Sequence, residues 1–347
     1  MKKKKRGKLE SFVLIVAAIV SVTAALVLFL FYTKEGKRLT AKVVAGYLHD
    51  SVNYVSNKEK GEEESFGRSG KQTGNPAGDT HQQSEEKKYY HILLLGEEAI
   101  RSTEGKGRTD AIVLATIYPE QKKVILTSIL RDTYVEPEGS VPCKINSVYA
   151  KQGVKGLYRI LYEKLGVWPD GYMKVGFDSF ERIIDLLGGA EVTLSEEEAA
   201  YLNTHNYISK EEYRNVVAGT QVLNGNQTLG YCRVRYVANY KGTKYDFGRT
   251  ERQRMVLSNL FERYKAAGIA KWVKILKEAL GYIETDISKE TMEKLIFAVY
   301  DAGITELEQR QLPAPETYES VKVKENVTST LVVDWEKNRE LFWNRLE

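Results

Sequence analysis

The stretch AIVLATIYPEQKKVILTSIL, residues 111–130, decides the fold of this chain. It holds two almost uninterrupted apolar runs, 111–118 and 124–130, joined by the polar sequence PEQKK. Such runs are typical of central β-strands covered on both faces, and the short polar link predicts a hairpin. A third apolar run, 91–95, ends at Gly96 and predicts a further strand.

Downstream of these strands, helical and extended patterns alternate along the chain. Helices are predicted over 154–165, 180–187, 223–231 (capped by Asn224), 249–265, 270–282, 289–300 and the C-terminus. Strands are predicted over 172–177, 191–194 and 331–335, whereas 195–215 is interpreted as a polar loop with a helical turn. This alternation predicts an α/β fold with a mixed central sheet between helices.

The N-terminus pairs a basic tip, residues 1–10, with the apolar segment SFVLIVAAIVSVTAALVLFLFYT, residues 11–33. At about 1.5 Å per helical residue, this segment spans a hydrocarbon core of about 30 Å. We expect a single transmembrane helix, with the basic tip in the cytoplasm and the bulk of the chain outside the cell. A cleaved signal peptide and a buried soluble helix are the alternatives.

Residues 34–88 are interpreted as a juxtamembrane segment followed by a flexible stalk. The stalk, 57–88, is charged and rich in glycine and serine, and it has few apolar residues to offset the entropy of ordering. We expect the folded domain at 89–347. The net charge of the 347-residue chain is +4. Without the cations of the tip the remainder is slightly acidic, so no nucleic-acid partner is expected.

Charged residues recur where the predicted strands begin or end. Four such groups occur: Gly96-Glu97-Glu98, Arg108-Thr109-Asp110, Arg131-Asp132-Thr133 and Lys144-Ile145-Asn146. Ligands of open α/β sheets gather at strand ends, so these groups predict one binding site. For any single group, an ordinary salt bridge at a strand end is the alternative.

A second cluster lies in YCRVRYVANYKGTKYDFGRTERQRM, residues 231–255. It contains the amide Gln253 and five arginines, which are Arg233, Arg235, Arg249, Arg252 and Arg254. Extended and helical periodicity would turn several of them to one spot, where guanidinium forks suit phosphate oxygens. Asp246 among them is a candidate ligand for a divalent cation. A solvated basic helix with ion pairs such as Glu251–Arg254 is the alternative.

Together these motifs resemble the LytR-CpsA-Psr family of cell-wall polymer ligases. The likeness covers residues 89–265 and rests on Arg-Thr-Asp, Arg-Asp-Thr, Lys-Ile-Asn, Leu-Gly-Gly, Leu-Asn-Gly, Arg-x-Arg-Tyr and Asp-Phe-Gly-Arg-Thr-x-Arg-Gln. It implies a three-layer α-β-α sandwich with a deep apolar pocket for a polyprenyl chain. It also implies a membrane-anchored enzyme that moves a glycopolymer, such as teichoic acid or capsule polysaccharide, from a polyprenyl-pyrophosphate carrier to peptidoglycan through a phosphodiester bond.

The resemblance also implies roles for individual residues. The expected catalytic residues are Arg108, Arg131 and Asp132. The expected pyrophosphate ligands are Arg108, Arg131, Arg233, Arg235, Arg249, Arg252, Gln253 and Lys144. The expected ligands of a Mg²⁺ ion are Asp110, Asp246 and Glu98. Asp132 is expected either to orient Arg131 or to assist deprotonation of the attacking sugar hydroxyl.

The sequence departs from the family pattern at several positions. Glu98 stands where aspartate is usual, Leu130 replaces a common proline, and the 237–245 segment is longer than usual, which indicates a different substrate specificity. Cys143 and Cys232 are interpreted as packing residues, with one disulfide as the alternative. Two other functions fit the same residues: hydrolysis of the pyrophosphate alone, and non-catalytic binding of the lipid carrier as a sensor or scaffold.

Overall fold

The computed structural model describes residues 32–55, 87–97, 107–267, 269–321 and 330–344. Almost all of the predicted transmembrane segment and stalk lies outside these ranges, and so does Glu98. Among the helices that the structure describes, none combines the length and the apolar character needed to cross a bilayer.

A seven-stranded mixed sheet forms the centre of the domain, in the order β1-β10-β7-β2-β3-β4-β11. Its strands are β1 (Asn53–Tyr54), β2 (Tyr90–Glu97), β3 (Thr109–Tyr118), β4 (Lys123–Ile129), β7 (Gly171–Val175), β10 (Glu284–Thr285) and β11 (Glu306–Leu312). Three two-stranded ribbons accompany it: β5 (Tyr134–Val135) with β6 (Cys143–Lys144), β8 (Ala190–Leu194) with β9 (Gly219–Leu223), and β12 (Tyr318–Val321) with β13 (Thr330–Val333). The predicted hairpin is confirmed, because β3 and β4 pair antiparallel.

Helices cover both faces of this sheet. They are α1 (Lys34–His49), α2 (Val148–Leu165), α3 (Phe177–Leu186), α4 (Glu196–Thr204), α5 (Gly225–Arg233), α6 (Tyr245–Ala267), α7 (Ile269–Leu280), α8 (Lys289–Ala302) and α9 (Trp335–Asn344). Alternate residues of β2 enter two different cores: Leu93 packs with Leu157 of α2, whereas Ile92 packs with Ala45 of α1. The sheet therefore lies between helical layers, as the apolar runs predict.

Residues 34–55 belong to the folded domain, which corrects the predicted start at residue 89. Ala41 and Ala45 of α1 are fully buried, and Lys37 forms an ion pair with Asp301 of α8 at 3.0 Å. β1 extends the sheet by pairing with β10. The cause is the amphipathic pattern of α1, whose apolar stripe finds its partner in the C-terminal part of the chain.

The expected loop at 195–215 was wrong in its first half. Ser195 accepts a hydrogen bond from the Glu198 backbone N–H at 3.1 Å, and the Glu198 carboxylate accepts one from the Ser195 N–H at 3.0 Å. This capping box starts α4. The predicted cap of α5 is confirmed, because the Asn224 side chain accepts from the Gln227 N–H at 2.9 Å.

The strand directions bring the candidate residues to one edge of the sheet. β2 runs parallel to β7 and antiparallel to β3, which in turn runs antiparallel to β4. The ends of β2, β4 and β7 therefore meet the start of β3 at one edge. Asp110 begins β3 and Arg131 follows β4, so both lie at this edge.

Candidate active site

A cavity of about 420 Å³ opens at this edge of the sheet. Most of its wall is apolar, built from Leu94, Leu95, Val113, Met173, Val175, Phe177, Phe180, Ile183, Ile184, Leu229, Val256, Leu257, Leu260 and Ile283. Its polar lining includes Asp110, Arg131, Arg233, Arg235, Arg249 and Gln253. A long apolar wall with a group of cations suits an amphiphile that has a hydrocarbon body and an anionic head.

Arg131 connects the two acids of the cluster. Its Nη1 donates to Asp110 Oδ1 at 2.7 Å, and its Nε lies 3.3 Å from Asp246 Oδ1. Asp246 lies in the first turn of α6, and Arg249 follows one turn later. Arg249 Nη2 lies 2.7 Å from Asp246 Oδ1, and Arg235 Nε lies 3.9 Å from the same oxygen. Residues from β3, the end of β4 and α6 therefore form one cluster.

Several buried atoms of this cluster lack hydrogen-bond partners within the described part of the chain. Both carboxylate oxygens of Asp246 are in this state, and so are Arg249 Nε and Nη2 and Arg131 Nε. The close approach of Arg249 to Asp246 is therefore an ion pair without hydrogen-bond geometry. Unsatisfied buried polar atoms are costly, and they indicate a site that is completed by a ligand.

Burial and neighbouring charges shift the pKa values of the two central arginines in opposite directions. Burial lowers the pKa of Arg249, and the neighbouring Arg131 adds to this, while Asp246 acts against it. Burial also acts to lower the pKa of Arg131, but the charges of Asp110 and Asp246 outweigh it and raise that pKa. A guanidinium stays charged in either case, so Arg249 is a desolvated cation that an anionic ligand would stabilise.

Arg233 and Arg235 reach the cavity differently from the predicted extended geometry. Arg233 is the last residue of α5, and its guanidinium carbon lies 4.8 Å from the centre of the Phe177 ring. Arg235 follows in the loop after α5 and is half-buried. Gln253 Nε2 donates to the Cys232 carbonyl at 3.3 Å. These residues complete the cationic end of the cavity together with Arg131 and Arg249.

Arg252 lies elsewhere, and its predicted role in pyrophosphate binding is corrected. Its side chain is 0% exposed, and its Nε donates to Glu198 Oε1 at 2.7 Å. Nη1 and Nη2 donate to the carbonyls of Val234 and Val237 at 3.1 and 3.0 Å. All three nitrogens are used within the protein, so Arg252 supports the site from behind. The burial of Arg249, Arg252 and Arg254 also contradicts the alternative of a solvated basic helix.

Three further expected residues are not among those that line the cavity. Lys144 forms an ion pair with Asp132 at 2.7 Å, and neither residue belongs to the lining. The ion pairs of Arg131 are with Asp110 and Asp246, whereas Asp132 pairs with Lys144, so the role expected of Asp132 stays a prediction. Arg108 is exposed, two residues before Asp110. Its expected contact with substrate stays a prediction.

The donor set of the cluster is compatible with a hard divalent cation. Asp110 and Asp246 both lie within ion-pair distance of Arg131 and Arg249, and neither Asp246 oxygen accepts a hydrogen bond from the described residues. Carboxylate oxygens are the ligands that Mg²⁺ prefers, and phosphate oxygens would complete its shell. Among the described residues, no group of three or more histidines, cysteines or acids is arranged to hold a metal.

Cys143 and Cys232 are free thiols, so the alternative of a disulfide is not realised. Cys232 lines the cavity, and burial raises the pKa of its thiol to about 12. Such a thiol is protonated and unreactive at neutral pH. The packing role predicted for Cys232 fits this geometry.

The aromatic part of the site was not predicted from the sequence. Phe177 and Phe180 of α3 and Tyr207 after α4 line the cavity. Phe180 was predicted to start a helix and Phe177 to end a strand, and neither pattern separates a cavity wall from a core. The tyrosines around Tyr207 in the sequence could have indicated its place in the cavity wall.

Comparisons with known proteins agree with this geometry. The LytR_cpsA_psr family model matches residues 51–341. The polyisoprenyl-teichoic acid–peptidoglycan teichoic acid transferase TagV of Bacillus subtilis (strain 168) is 31% identical over 205 residues, 58% of this chain and 50% of the relative. Biofilm regulatory protein A of Streptococcus mutans serotype c is 30% identical over 224 residues, 61% of this chain and 53% of the relative. This chain thus spans about half the length of these curated relatives.

The crystal structure of B. subtilis TagV is similar in fold, with a TM-score of 0.58 and 28% sequence identity. The likeness covers 76% of this chain and 98% of that structure. The described sheet, its helices and the cavity therefore lie in a fold that TagV shares.

Proposed function

Because this chain belongs to the LytR-CpsA-Psr family, we propose that it is a membrane-anchored phosphotransferase that attaches a glycopolymer from a polyprenyl-pyrophosphate carrier to peptidoglycan. The observation that carries the proposal is the convergence of four arginines at an apolar cavity: Arg131, Arg233, Arg235 and Arg249. Each feature matches one part of the carrier lipid. The apolar wall fits a polyprenyl chain, and the arginines fit a diphosphate.

The similarity to TagV supports this choice of substrate, since that relative is a polyisoprenyl-teichoic acid–peptidoglycan teichoic acid transferase. For this chain the glycopolymer is teichoic acid, capsule polysaccharide or another wall polysaccharide. The apolar segment 11–33 supports a single membrane anchor that places the domain on the outer side of the cell membrane, beside both lipid carrier and peptidoglycan.

In the reaction, a hydroxyl of the peptidoglycan sugar attacks the phosphorus that carries the glycopolymer. A new oxygen–phosphorus bond forms, and the bond from that phosphorus to the bridging oxygen breaks. The leaving group is polyprenyl phosphate, which in the overall balance gains the proton that the hydroxyl loses. Arg131, Arg235 and Arg249 would neutralise the charge that develops on the phosphate oxygens, which is the main demand of phosphoryl transfer.

Asp110 and Asp246 would hold a Mg²⁺ ion beside the diphosphate. When bound, this ion supplies charge neutralisation and orients the phosphate oxygens. The orphaned oxygens of Asp246 support this part of the proposal. Chelation with EDTA should stop transfer, and restored Mg²⁺ should recover it.

Variants at the arginine cluster test the proposal. Arg131→Ala and Arg235→Ala should abolish transfer from a polyprenyl-pyrophosphate glycan while the protein stays folded. Arg182→Ala is the control, because Arg182 is an exposed arginine of α3 that is not part of the cavity lining. Full activity in both cluster variants would disprove the assignment of the site.

Product analysis separates transfer from the two alternative functions. Transfer leaves polymer covalently attached to muropeptides, whereas hydrolysis of the pyrophosphate releases a free phosphorylated polymer. A sensor or scaffold would bind the carrier without turnover. Mass spectrometry of lipid that copurifies with the chain should detect a polyprenyl phosphate, which would support the cavity as its binding site.

A further inference from the structure

We propose that a group of aromatic rings beside the arginines binds a pyranose ring of the glycan substrate. This aromatic patch consists of Tyr201, His205, Tyr207 and Tyr236. The proposal rests on the function proposed above and adds to it a sugar subsite. Three features support it: the continuity of the rings with the cavity, their rigid support and their position relative to the cations.

The rings continue from the cavity wall to the surface. Tyr207 lines the cavity, and the Arg233 guanidinium carbon lies 6.0 Å from the centre of its ring. The Tyr201 ring lies 5.4 Å from the Tyr207 ring, and the His205 ring stacks on Tyr201 at 3.9 Å with an angle of 22° between the planes. His205 is exposed, whereas Tyr201 and Tyr207 are half-buried.

Tyr236 adds a ring from the segment that follows the arginines. It comes directly after Arg235 and is 61% exposed, so its ring is accessible to a ligand. Burial, then a hydrogen bond with Tyr207, raises the pKa of the Tyr201 phenol to about 12, and Tyr236 is near enough to contribute. The Tyr201 hydroxyl therefore bonds Tyr207, which fixes its ring within the patch.

Buried contacts hold both halves of the patch in place. Arg252 bonds Glu198 of α4, the helix that carries Tyr201, and it also bonds the carbonyls of Val234 and Val237, which flank Tyr236 on either side. A side chain at Gly230 would come within 3.0 Å of the Tyr207 carbonyl, so α5 packs closely against the loop that carries Tyr207. A patch that is ordered before binding loses little entropy when a ligand arrives.

The order of the chemical groups identifies the ligand as a sugar. The apolar wall would hold the hydrocarbon chain, and the arginines would hold the diphosphate. Arg233 packs against Tyr207, and Arg235 adjoins Tyr236, so the next group beyond the diphosphate meets the aromatic patch. In the proposed substrate that group is a pyranose. Its C–H bonds carry partial positive charge and pack on the negative face of a tyrosine ring, while its hydroxyls reach the phenol edges.

The pyranose has two possible sources, the polymer on the carrier lipid and the glycan strand of peptidoglycan. Three probes distinguish them in binding measurements on the full chain in detergent. They are octaprenyl pyrophosphate, octaprenyl pyrophosphate that carries one N-acetylglucosamine, and chitotetraose. The variants are Tyr236→Ala and His205→Ala, both at exposed positions, with Tyr236→Phe as the conservative substitution.

Tyr54→Ala is the matched control. Tyr54 belongs to β1, an outermost strand of the sheet, and is 43% exposed. The centre of its ring lies 5.1 Å from that of the His49 ring, so it too contacts a histidine. We expect Tyr236→Ala to weaken binding of at least one sugar probe roughly tenfold, the effect of losing one aromatic contact. Binding of the sugar-free lipid should not change, Tyr236→Phe should bind like the wild type, and so should Tyr54→Ala.

A loss confined to the sugar-bearing lipid assigns the patch to the polymer, and a loss confined to chitotetraose assigns it to peptidoglycan. Wild-type affinity of Tyr236→Ala and His205→Ala for both sugar probes would overturn the proposal. If the wild type binds neither lipid but binds chitotetraose in a Tyr236-dependent manner, the patch is a sugar site and the proposed transferase function fails.

Discussion

Replacement of Arg252 by methionine should destabilise the fold without removing a phosphate ligand. The change keeps an unbranched apolar stem but removes the guanidinium that bonds Glu198 at 2.7 Å. Glu198 is 0% exposed, so its carboxylate would be left as an uncompensated buried charge. Breaking a buried ion pair from one side costs about 3–5 kcal/mol.

The lost donors to the Val234 and Val237 carbonyls add to this cost. A buried carbonyl without its partner costs about 1–3 kcal/mol. The total approaches the whole stability of a typical domain, about 5–15 kcal/mol. Glu198→Gln keeps an acceptor for the capping box but leaves the Arg252 charge unpaired, so it should also destabilise. The double variant should recover about 1–3 kcal/mol relative to the sum of the singles.

Urea unfolding followed by tryptophan fluorescence measures these changes as shifts of the midpoint. Octaprenyl pyrophosphate binding, corrected for the folded fraction, measures the second half of the prediction and should be unchanged in Arg252→Met. A wild-type midpoint for this variant would refute the buried-pair argument. A folded variant that has lost lipid binding would instead restore Arg252 to the pyrophosphate site.

Arg249→Met should show the reverse pattern. The unfolding free energy should change by less than about 1 kcal/mol, because the variant removes a desolvated cation while Asp246 keeps its ion pairs with Arg131 and Arg235. Lipid binding should weaken at least roughly tenfold in a titration. At pH 8 a thiol reagent should modify Cys143 in the folded protein and both cysteines only after unfolding, since burial raises the pKa of Cys232 to about 12. Burial lowers the pKa of His91 from 6.5 to about 4. The unfolded chain therefore binds this proton first, and stability should fall between pH 6.5 and 4 by an amount that His91→Gln removes, measured by urea midpoints.

The central layer of the fold could be predicted because its residues are apolar on both faces. The runs at 91–95, 111–118 and 124–130 correspond to β2, β3 and β4 within a few residues at each end. β11, Glu306–Leu312, was not predicted, because the edge strand ELEQRQL is polar and its pairing with β4 depends on a partner almost two hundred residues away. The local sequence pattern indicates which secondary structure a segment can form. A polar edge strand such as β11 forms only because β4 is present to pair with it.

Local pattern also predicted some residues of the site, whereas contacts with distant partners could not be predicted. Arg249 and Gln253 are four residues apart on α6 and both line the cavity, which helical spacing predicts. Arg252 is one position from Gln253 and faces Glu198, an acid that belongs to a different helix. Nothing near Arg252 in the sequence marks Glu198 as its partner, since Glu198 is equally well explained as part of the α4 capping box.

Arg252 and Arg249 differ in how their guanidinium nitrogens are bonded. Arg252 has every nitrogen bonded within the protein, whereas Arg249 and Asp246 are buried at the cavity with orphaned atoms. Buried polar atoms normally form hydrogen bonds, so a cluster with several atoms that form none has a cost that a ligand can offset. Because this cluster combines arginines with a carboxylate, its chemistry fits the proposed diphosphate ligand.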